Sequence, residues 1–170
     1  MQHNENKIKK ISNALEKMNE ELNTAEGTLL PPPVYVEGES LSAVKAVKSG
    51  GIDPATGQEV FIDRFGNPTF VYNYWDKRTY GDSDPTLSGT FGTYLTFKGF
   101  SLNMLFNYEL GATIYNQTLV TRVEGANPQR NADKRVFHSR WKKVGDRVKY
   151  KNIADQTTPD ITSRFVRDEY

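Results

Sequence analysis

From Leu87 to Gly111 apolar and polar side chains alternate with a period of two, and the alternation is broken once, at Lys98-Gly99. Successive side chains of a strand point to opposite faces. Before the break Leu87, Gly89, Phe91, Thr93, Leu95 and Phe97 therefore share one face, against Ser88, Thr90, Gly92, Tyr94, Thr96 and Lys98. After it Phe100, Leu102, Met104, Phe106, Tyr108 and Leu110 share a face, against Ser101, Asn103, Leu105, Asn107, Glu109 and Gly111. A two-residue connection with Gly second suits a type I′ turn, so residues 86–111 predict a hairpin. The turn also predicts the register, with Phe97 opposite Phe100, Leu95 opposite Leu102, Thr93 opposite Met104 and Phe91 opposite Phe106. All four pairs join apolar-face positions, whereas a one-residue slip would scramble the faces.

Two environments suit a hairpin with one apolar face. In a soluble sandwich that face packs on a second sheet; in a membrane barrel it meets lipid while the polar face lines the lumen. Eleven residues per strand, at ~3.3 Å each and a ~45° tilt, reach a height near the ~25 Å apolar band of such barrels. Phe97, Phe100 and Tyr108 near the strand ends fit interfacial aromatic girdles. On the barrel reading the lipid-facing residues are Leu87, Phe91, Leu95, Phe97, Phe100, Leu102, Met104, Phe106, Tyr108 and Leu110. The pattern alone leaves both environments open.

The flanking segments follow other rules. Ile8, Ile11, Leu15, Met18 and Leu22 are spaced three, four, three and four, which predicts an amphipathic helix. Pro31-Pro32-Pro33 removes three backbone donors and predicts an extended connector. Val44 to Val47, Glu59 to Ile62 and Thr69 to Tyr74 read as short strands of a small hairpin or meander, divided by Asp53-Pro54-Ala55-Thr56-Gly57 and Gly66-Asn67-Pro68. After Gly111 the alternation stops and a long loop is expected. Within it Tyr115 to Glu124 and Asn131 to Val144 read as helices, ended by Gly125 and Gly145, before a strand resumes around Arg164 to Val166. Residues 1–85 and 112–163 thus read as two long loops around the hairpin, with 164–170 starting another strand. The fold class is mainly β, a short turn at one end of a hairpin and long structured loops at the other.

Composition adds mostly exclusions. With 22 basic and 21 acidic residues, net charge points to no class of partner. The absence of Cys removes disulfides and thiolate chemistry. Apolar runs stay far below the ~20 residues of a membrane helix, a test that barrel strands evade. His3 and His138 lie far apart, so no metal site or cofactor is expected, and neither a nucleophile elbow nor a phosphate-cradling loop occurs. Asp82-Ser83-Asp84 lacks the further oxygen ligands of a calcium loop and reads as a turn. These features predict a non-enzyme. Eight basic residues between Lys134 and Lys151 lack a nucleic-acid reading motif; a solvated loop face is the favoured reading, with lipopolysaccharide phosphates as a second. Tyr74, Trp75 and Trp141 are weak candidates for stacking on cargo, with packing the more ordinary role.

The run Gly51-Ile52-Asp53-Pro54-Ala55-Thr56-Gly57-Gln58-Glu59-Val60-Phe61 resembles a segment of SusC/RagA-type TonB-dependent outer-membrane transporters. Lys98-Gly99-Phe100-Ser101-Leu102, Ile114-Tyr115-Asn116-Gln117-Thr118-Leu119-Val120, Arg140-Trp141-Lys142, Gly145-Asp146 and Ser163-Arg164-Phe165-Val166 extend the resemblance along the chain. It implies a piece of the late region of a barrel of ~22 strands closed by a plug. The implied setting is the outer membrane of a Gram-negative, Bacteroidetes-type cell, in contact with its lipid and lipopolysaccharide. The implied work is import of glycans or oligopeptides, energised through TonB, with a SusD-like lipoprotein at the outer mouth. Signal peptide, TonB box and plug would lie outside this sequence. The rival expectation is a secreted or surface β-rich binding module, in which Val34 to Val36, Val60 to Ile62 and Phe70 to Tyr72 cover the hairpin.

Overall fold

A computed structural model of the chain describes residues 2–3, 5–24, 30–127, 129–130, 132–154 and 160–168. In chain order its first elements are β1 (Gln2–His3), α1 (Asn13–Thr24), β2 (Ala43–Ile52), β3 (Glu59–Ile62), β4 (Pro68–Thr69) and β5 (Lys77–Asp82). The long hairpin follows as β6 (Leu87–Phe97) and β7 (Phe100–Leu110), then β8 (Thr113–Tyr115), α2 (Gln117–Leu119), α3 (Arg135–His138) and β9 (Val166–Asp168). Among the described residues three sheets form, with strand orders β1-β6-β7, β4-β3-β2-β5 and β8-β9, and their strand pairs are antiparallel.

The hairpin forms in the expected register through all eleven pairs, from Leu87 with Leu110 to Phe97 with Phe100. Its turn has positive φ at Lys98 (47°) and Gly99 (87°), the dihedrals that match the twist of the strands. Glycine takes the second position without strain; Lys98 accepts a left-handed backbone that most side chains avoid.

The interior lies elsewhere. β2 is the central strand of the second sheet, and Val44, Ala46 and Val47 are buried within it. A parallel bridge from Val47 to Thr162 and a bond from the Val47 N–H to the Ile161 carbonyl (3.0 Å) tie this strand to the chain's last described segment. The apolar cluster beyond it is Leu119, Val120, Val123, Ala126, Val136, Tyr150 and Phe165. Both expected loop regions therefore pack into one body, from which the hairpin extends as a two-stranded ribbon with no buried residue between Leu87 and Leu110.

Several expectations need correction. The helix begins at Asn13, not Ile8, because the Ile8 backbone pairs with Gly38 and Glu39, and Ser12 starts the helix by accepting from Leu15 and Glu16. The expected strand Thr69 to Tyr74 ends after Thr69. There the Thr69 hydroxyl takes the Val71 N–H and the Asn73 side chain takes the Trp75 N–H, local bonds that compete with a ladder. The opposite edge of the sheet is formed by β5 against β2, a strand the pattern did not announce. Past Gly111 the chain forms β8 before any loop, so the helical stretch starts at Gln117 rather than Tyr115; its second half, Val120–Glu124, is a π-turn closed from the Gly125 N–H to the Val120 carbonyl (2.8 Å). The expected helix Asn131 to Val144 holds only over Arg135–His138, since Arg140 leaves it to bridge with Tyr150; Asn131 lies outside the described residues. Around Arg164 a 3-10 turn (Ser163–Phe165) precedes the strand, which starts at Val166.

Candidate functional site

The ribbon is the first part of the site. All ten residues expected on its apolar face do share one face, paired Leu87 with Leu110, Phe91 with Phe106, Thr93 with Met104, Leu95 with Leu102 and Phe97 with Phe100, with Tyr108 opposite Gly89. The Phe91 and Phe106 rings stack at 5.0 Å, and the Tyr108 ring lies over the space a β-carbon on Gly89 would fill. Aromatic cross-strand pairs of this kind stabilise a ribbon by roughly 0.2–1 kcal/mol each. The opposite face is hydrogen-bonded and polar: Thr90 Oγ1 donates to Asn107 Oδ1 (2.8 Å) and the Tyr94 hydroxyl to Ser101 Oγ (3.2 Å). Leu105 is an apolar exception there.

Among the described residues nothing covers the apolar face. Phe91 is 61% exposed, Leu95 53%, Phe97 70% and Phe100 81%. In water an isolated two-stranded hairpin is marginal at best, and a contiguous apolar face of this extent marks a surface built to meet something apolar. The segments that the rival module needs as a cover are engaged in the loop body instead. Phe61 is buried with Tyr72 edge-on at 5.4 Å, and the Tyr35 backbone is held by the Asn19 side chain.

Among the described residues β6 has a further partner at the end away from the turn, and β7 leads into a separate two-stranded sheet. β1 pairs with β6, Gln2 opposite Ser88 and His3 opposite Leu87. β7 passes through Gly111 (φ 80°) into β8, and β8 pairs with β9, Thr113 opposite Asp168 and Tyr115 opposite Val166. The ladder beside β6 and the ladder that follows β7 are both antiparallel, as an up-and-down sheet requires.

The second part is the joint of the loop body, centred on Arg164. Its Nε donates to Glu59 Oε1 (2.8 Å), its Nη2 to Glu59 Oε2 (2.5 Å) and Glu124 Oε1 (2.9 Å), and its Nη1 to the Lys149 carbonyl (2.6 Å). The side chains of Glu59 and Glu124 are 3% and 1% exposed and that of Arg164 13%, so the network is withdrawn from water. Burial works against the Arg164 charge, but the bonds to Glu59 and the charges of Glu59 and Glu124 outweigh it and hold the guanidinium above its ordinary pKa. Beside it, Arg140 donates to the carbonyls of Val123, Glu124 (2.8 Å) and Lys151 (3.1 Å). Those two arginines fasten β3, the π-turn and the segment entering β9 to one another.

This joint was not foreseen. Arg164 stands 105 positions from Glu59 and 40 from Glu124, and no local pattern announces such a bond. It also alters the reading of the basic run from Lys134 to Lys151. Arg140 and Lys151 are buried, and Arg135 pairs with Asp133 (2.6 Å), so the run is not one solvated face. The aromatic candidates are separated. Tyr74 and Trp75 sit together in a 3-10 turn with ring centroids 5.0 Å apart, Trp75 half-exposed, at the mouth of a groove with Asn19, Val34, Lys45 and Lys77. Trp141 lies against Gly57, and its indole N–H donates to the Pro54 carbonyl (3.0 Å), a packing role. The acidic turn is also spoken for, since the Ser42 hydroxyl contacts both Asp82 (2.5 Å) and Asp84 (2.8 Å).

No family model matches the chain. Over 90 residues, 53% of its length, the chain is 32% identical to TonB-dependent receptor P3 of Formosa agariphila. The resemblance to SusC/RagA-type TonB-dependent transporters is borne out. That match spans 9% of the receptor's own length. Solved structures share the fold: the RagAB peptide transporter (TM-score 0.59, 18% identity) and the RagAB peptide importer in its open-open state (0.61, 19%) and closed-closed state (0.60, 21%). Each alignment covers 78% of this chain and 15% of the larger one, so the chain corresponds to a small part of a transporter-sized protein. These relatives are receptors and transporters rather than enzymes.

Proposed function

We propose that this chain is part of the barrel wall and outer loops of an outer-membrane importer. The observation that carries the proposal is the bare apolar face of a register-locked ribbon, eleven residues tall, beneath a folded loop body. Lipid supplies the missing cover, the polar face lines the lumen, and β1 beside β6 and β9 beside β8 are the outer ends of adjoining barrel strands. The tight Lys98-Gly99 turn is then periplasmic and the loop body extracellular. Its units are 1–85 as one outer loop, 86–111 as the transmembrane hairpin, 112–163 as a second outer loop and 164–170 as the start of the next strand.

TonB dependence and peptide cargo follow the relatives' names, and glycan cargo and the lipoprotein follow the SusC/RagA resemblance. The complete protein is energised through TonB, carries glycan or oligopeptide cargo and works with a SusD-like lipoprotein over its outer mouth. In that setting Tyr74 and Trp75 are the better candidates for cargo or lid contact, because Trp75 presents half of its surface to the outside. The membrane assignment is tested by charge. Arg in place of Met104, near the ribbon's mid-height, is expected to cost about 2–4 kcal/mol in the full-length transporter, against under about 1 kcal/mol for its neighbour on the other face, Asn103→Arg. Equal costs on both faces, measured by denaturant unfolding in bilayers, would contradict it.

A further inference from the structure

Where residues 148–150 meet the turn that enters β9 lies a pocket of about 230 Å³ that the importer reading does not use. Three cationic residues line it, Lys149, Arg164 and Arg167, and no carboxylate does among the described residues. Val148, Tyr150 and Phe165 supply an apolar wall.

The inner part of the pocket is held in shape by bonds already made. All three nitrogens of the Arg164 guanidinium are engaged by Glu59, Glu124 and the Lys149 carbonyl, and its Cζ lies 4.8 Å from the centroid of the Phe165 ring. The N–H groups of Lys149 and Tyr150 both donate to the Ser139 carbonyl (3.2 and 3.1 Å). The outer cations are differently placed. Lys149 and Arg167 are exposed, and Arg167 uses one nitrogen, Nη1, on the Val166 carbonyl (2.9 Å). The Lys149 ammonium and the other nitrogens of Arg167 meet no carboxylate among the described residues.

Charge, size and wall together decide what fits. Two unopposed cations at the mouth of a pocket favour an anion, and the planar fork of a guanidinium matches a carboxylate. The volume falls below the ~300–1,000 Å³ of sites for drug-sized ligands, which leaves room for roughly one amino-acid residue. A phosphate or sulfate would leave the apolar wall unused. A sugar acid would set its hydroxyls against that wall, where polar groups without hydrogen bonds are costly. A free amino acid would bring its ammonium beside Lys149 and Arg167. An amino-acid carboxylate whose nitrogen is acylated escapes all three conflicts, and the last residue of a peptide is such a group.

We infer that this pocket takes the C-terminal residue of a peptide, with Lys149 and Arg167 on its carboxylate and its side chain against Val148, Tyr150 and Phe165. The carboxylate site follows from the pocket; that whole peptides reach it rests on the importer reading.

The test is saturation-transfer NMR of N-acetylalanine with the detergent-purified full-length transporter. Lys149→Gln with Arg167→Gln, both at exposed positions, is expected to weaken binding about tenfold, as the loss of two surface ion pairs would. The exposed pair Lys142→Gln with Lys143→Gln is expected to change nothing. N-acetylalanine amide, which lacks the charge, is expected to bind about tenfold more weakly than the acid. Undiminished affinity in the Lys149/Arg167 variant overturns the inference, as does an amide that binds as tightly as the acid. Glucuronate or inorganic phosphate binding more tightly than N-acetylalanine gives the pocket to a different anion and overturns it too. Failure of the importer reading shows separately, in the surface labelling of the ribbon turn, and leaves these affinities unchanged.

Discussion

Replacing Arg164 by Met removes a cation that both Glu59 and Glu124 contact while leaving two buried carboxylates in place. Breaking a buried pair by deleting one partner costs about 3–5 kcal/mol, most of it the penalty of the uncompensated charge. At about 1.4 kcal/mol per tenfold, the loop body should open locally some hundred to several thousand times more often. Amide hydrogen exchange on the full-length transporter reads this directly, at Val47, whose N–H bonds the Ile161 carbonyl, and at Gly125, whose N–H closes the π-turn. The ribbon amides should be little affected, because none of their bonds passes through Arg164. The triple variant Arg164→Met, Glu59→Leu, Glu124→Leu should recover much of the loss, since a buried ion network replaced by well-packed hydrophobic residues of similar volume is often close to neutral in stability. Less than a tenfold change in exchange for Arg164→Met, or a triple variant as unstable as the single one, would refute the view that this network is dry and holds the two loops together.

Gly57→Ala should lower the thermal midpoint clearly and cost about 1–2 kcal/mol or more, because Gly57 has φ 76° and an added β-carbon would come within 2.5 Å of the Trp141 ring. Pro in place of Lys98 or Gly99 should disrupt the hairpin, since a ring-locked φ near −65° cannot follow the observed 47° and 87°, and infrared strand content is the readout. Burial first, and then the charge of Glu59, push the Tyr115 hydroxyl well above its ordinary value of 10.0; Tyr72 moves the same way through burial and Asp160. A raised folded-state value means stability that is complete below pH 10 and lost as pH climbs toward it. Tyrosinate absorbance of wild type minus Tyr115→Phe should therefore rise only as the protein unfolds in alkali; a normal titration would contradict the burial.

The ribbon was legible in the sequence because its two determinants are local. A period of two and one Lys-Gly turn fix faces and register without help from any distant residue. β3 was legible for the same reason, lying between two recognisable turns. The loop body was less so, because distant partners override local pattern there. Ile8 and Ile11 keep helical spacing but are drawn into pairing with Gly38, Glu39 and Glu37. Arg140 interrupts a helix-like run to reach three carbonyls. β5 carries little alternation, as Lys77, Arg78 and Thr79 gain their place by lying beside Val47, Ala46 and Lys45 of the buried strand. For the candidate site, the lipid face could be named residue by residue, whereas the Arg164 joint depends on contacts 105 and 40 positions apart.

The central claim is that the ribbon crosses a membrane with its turn on the inner side and the loop body outside. A single Cys at Lys98 and another at Asn127, both exposed positions in a chain with no native Cys, give the direct measurement in the full-length transporter. Treated on intact cells with an impermeant maleimide, Cys at position 127 is expected to label, and Cys at position 98 to label only after the outer membrane is opened. Labelling at 98 but not at 127 on intact cells would invert the orientation, and equal labelling of both would mean that the ribbon does not cross the membrane.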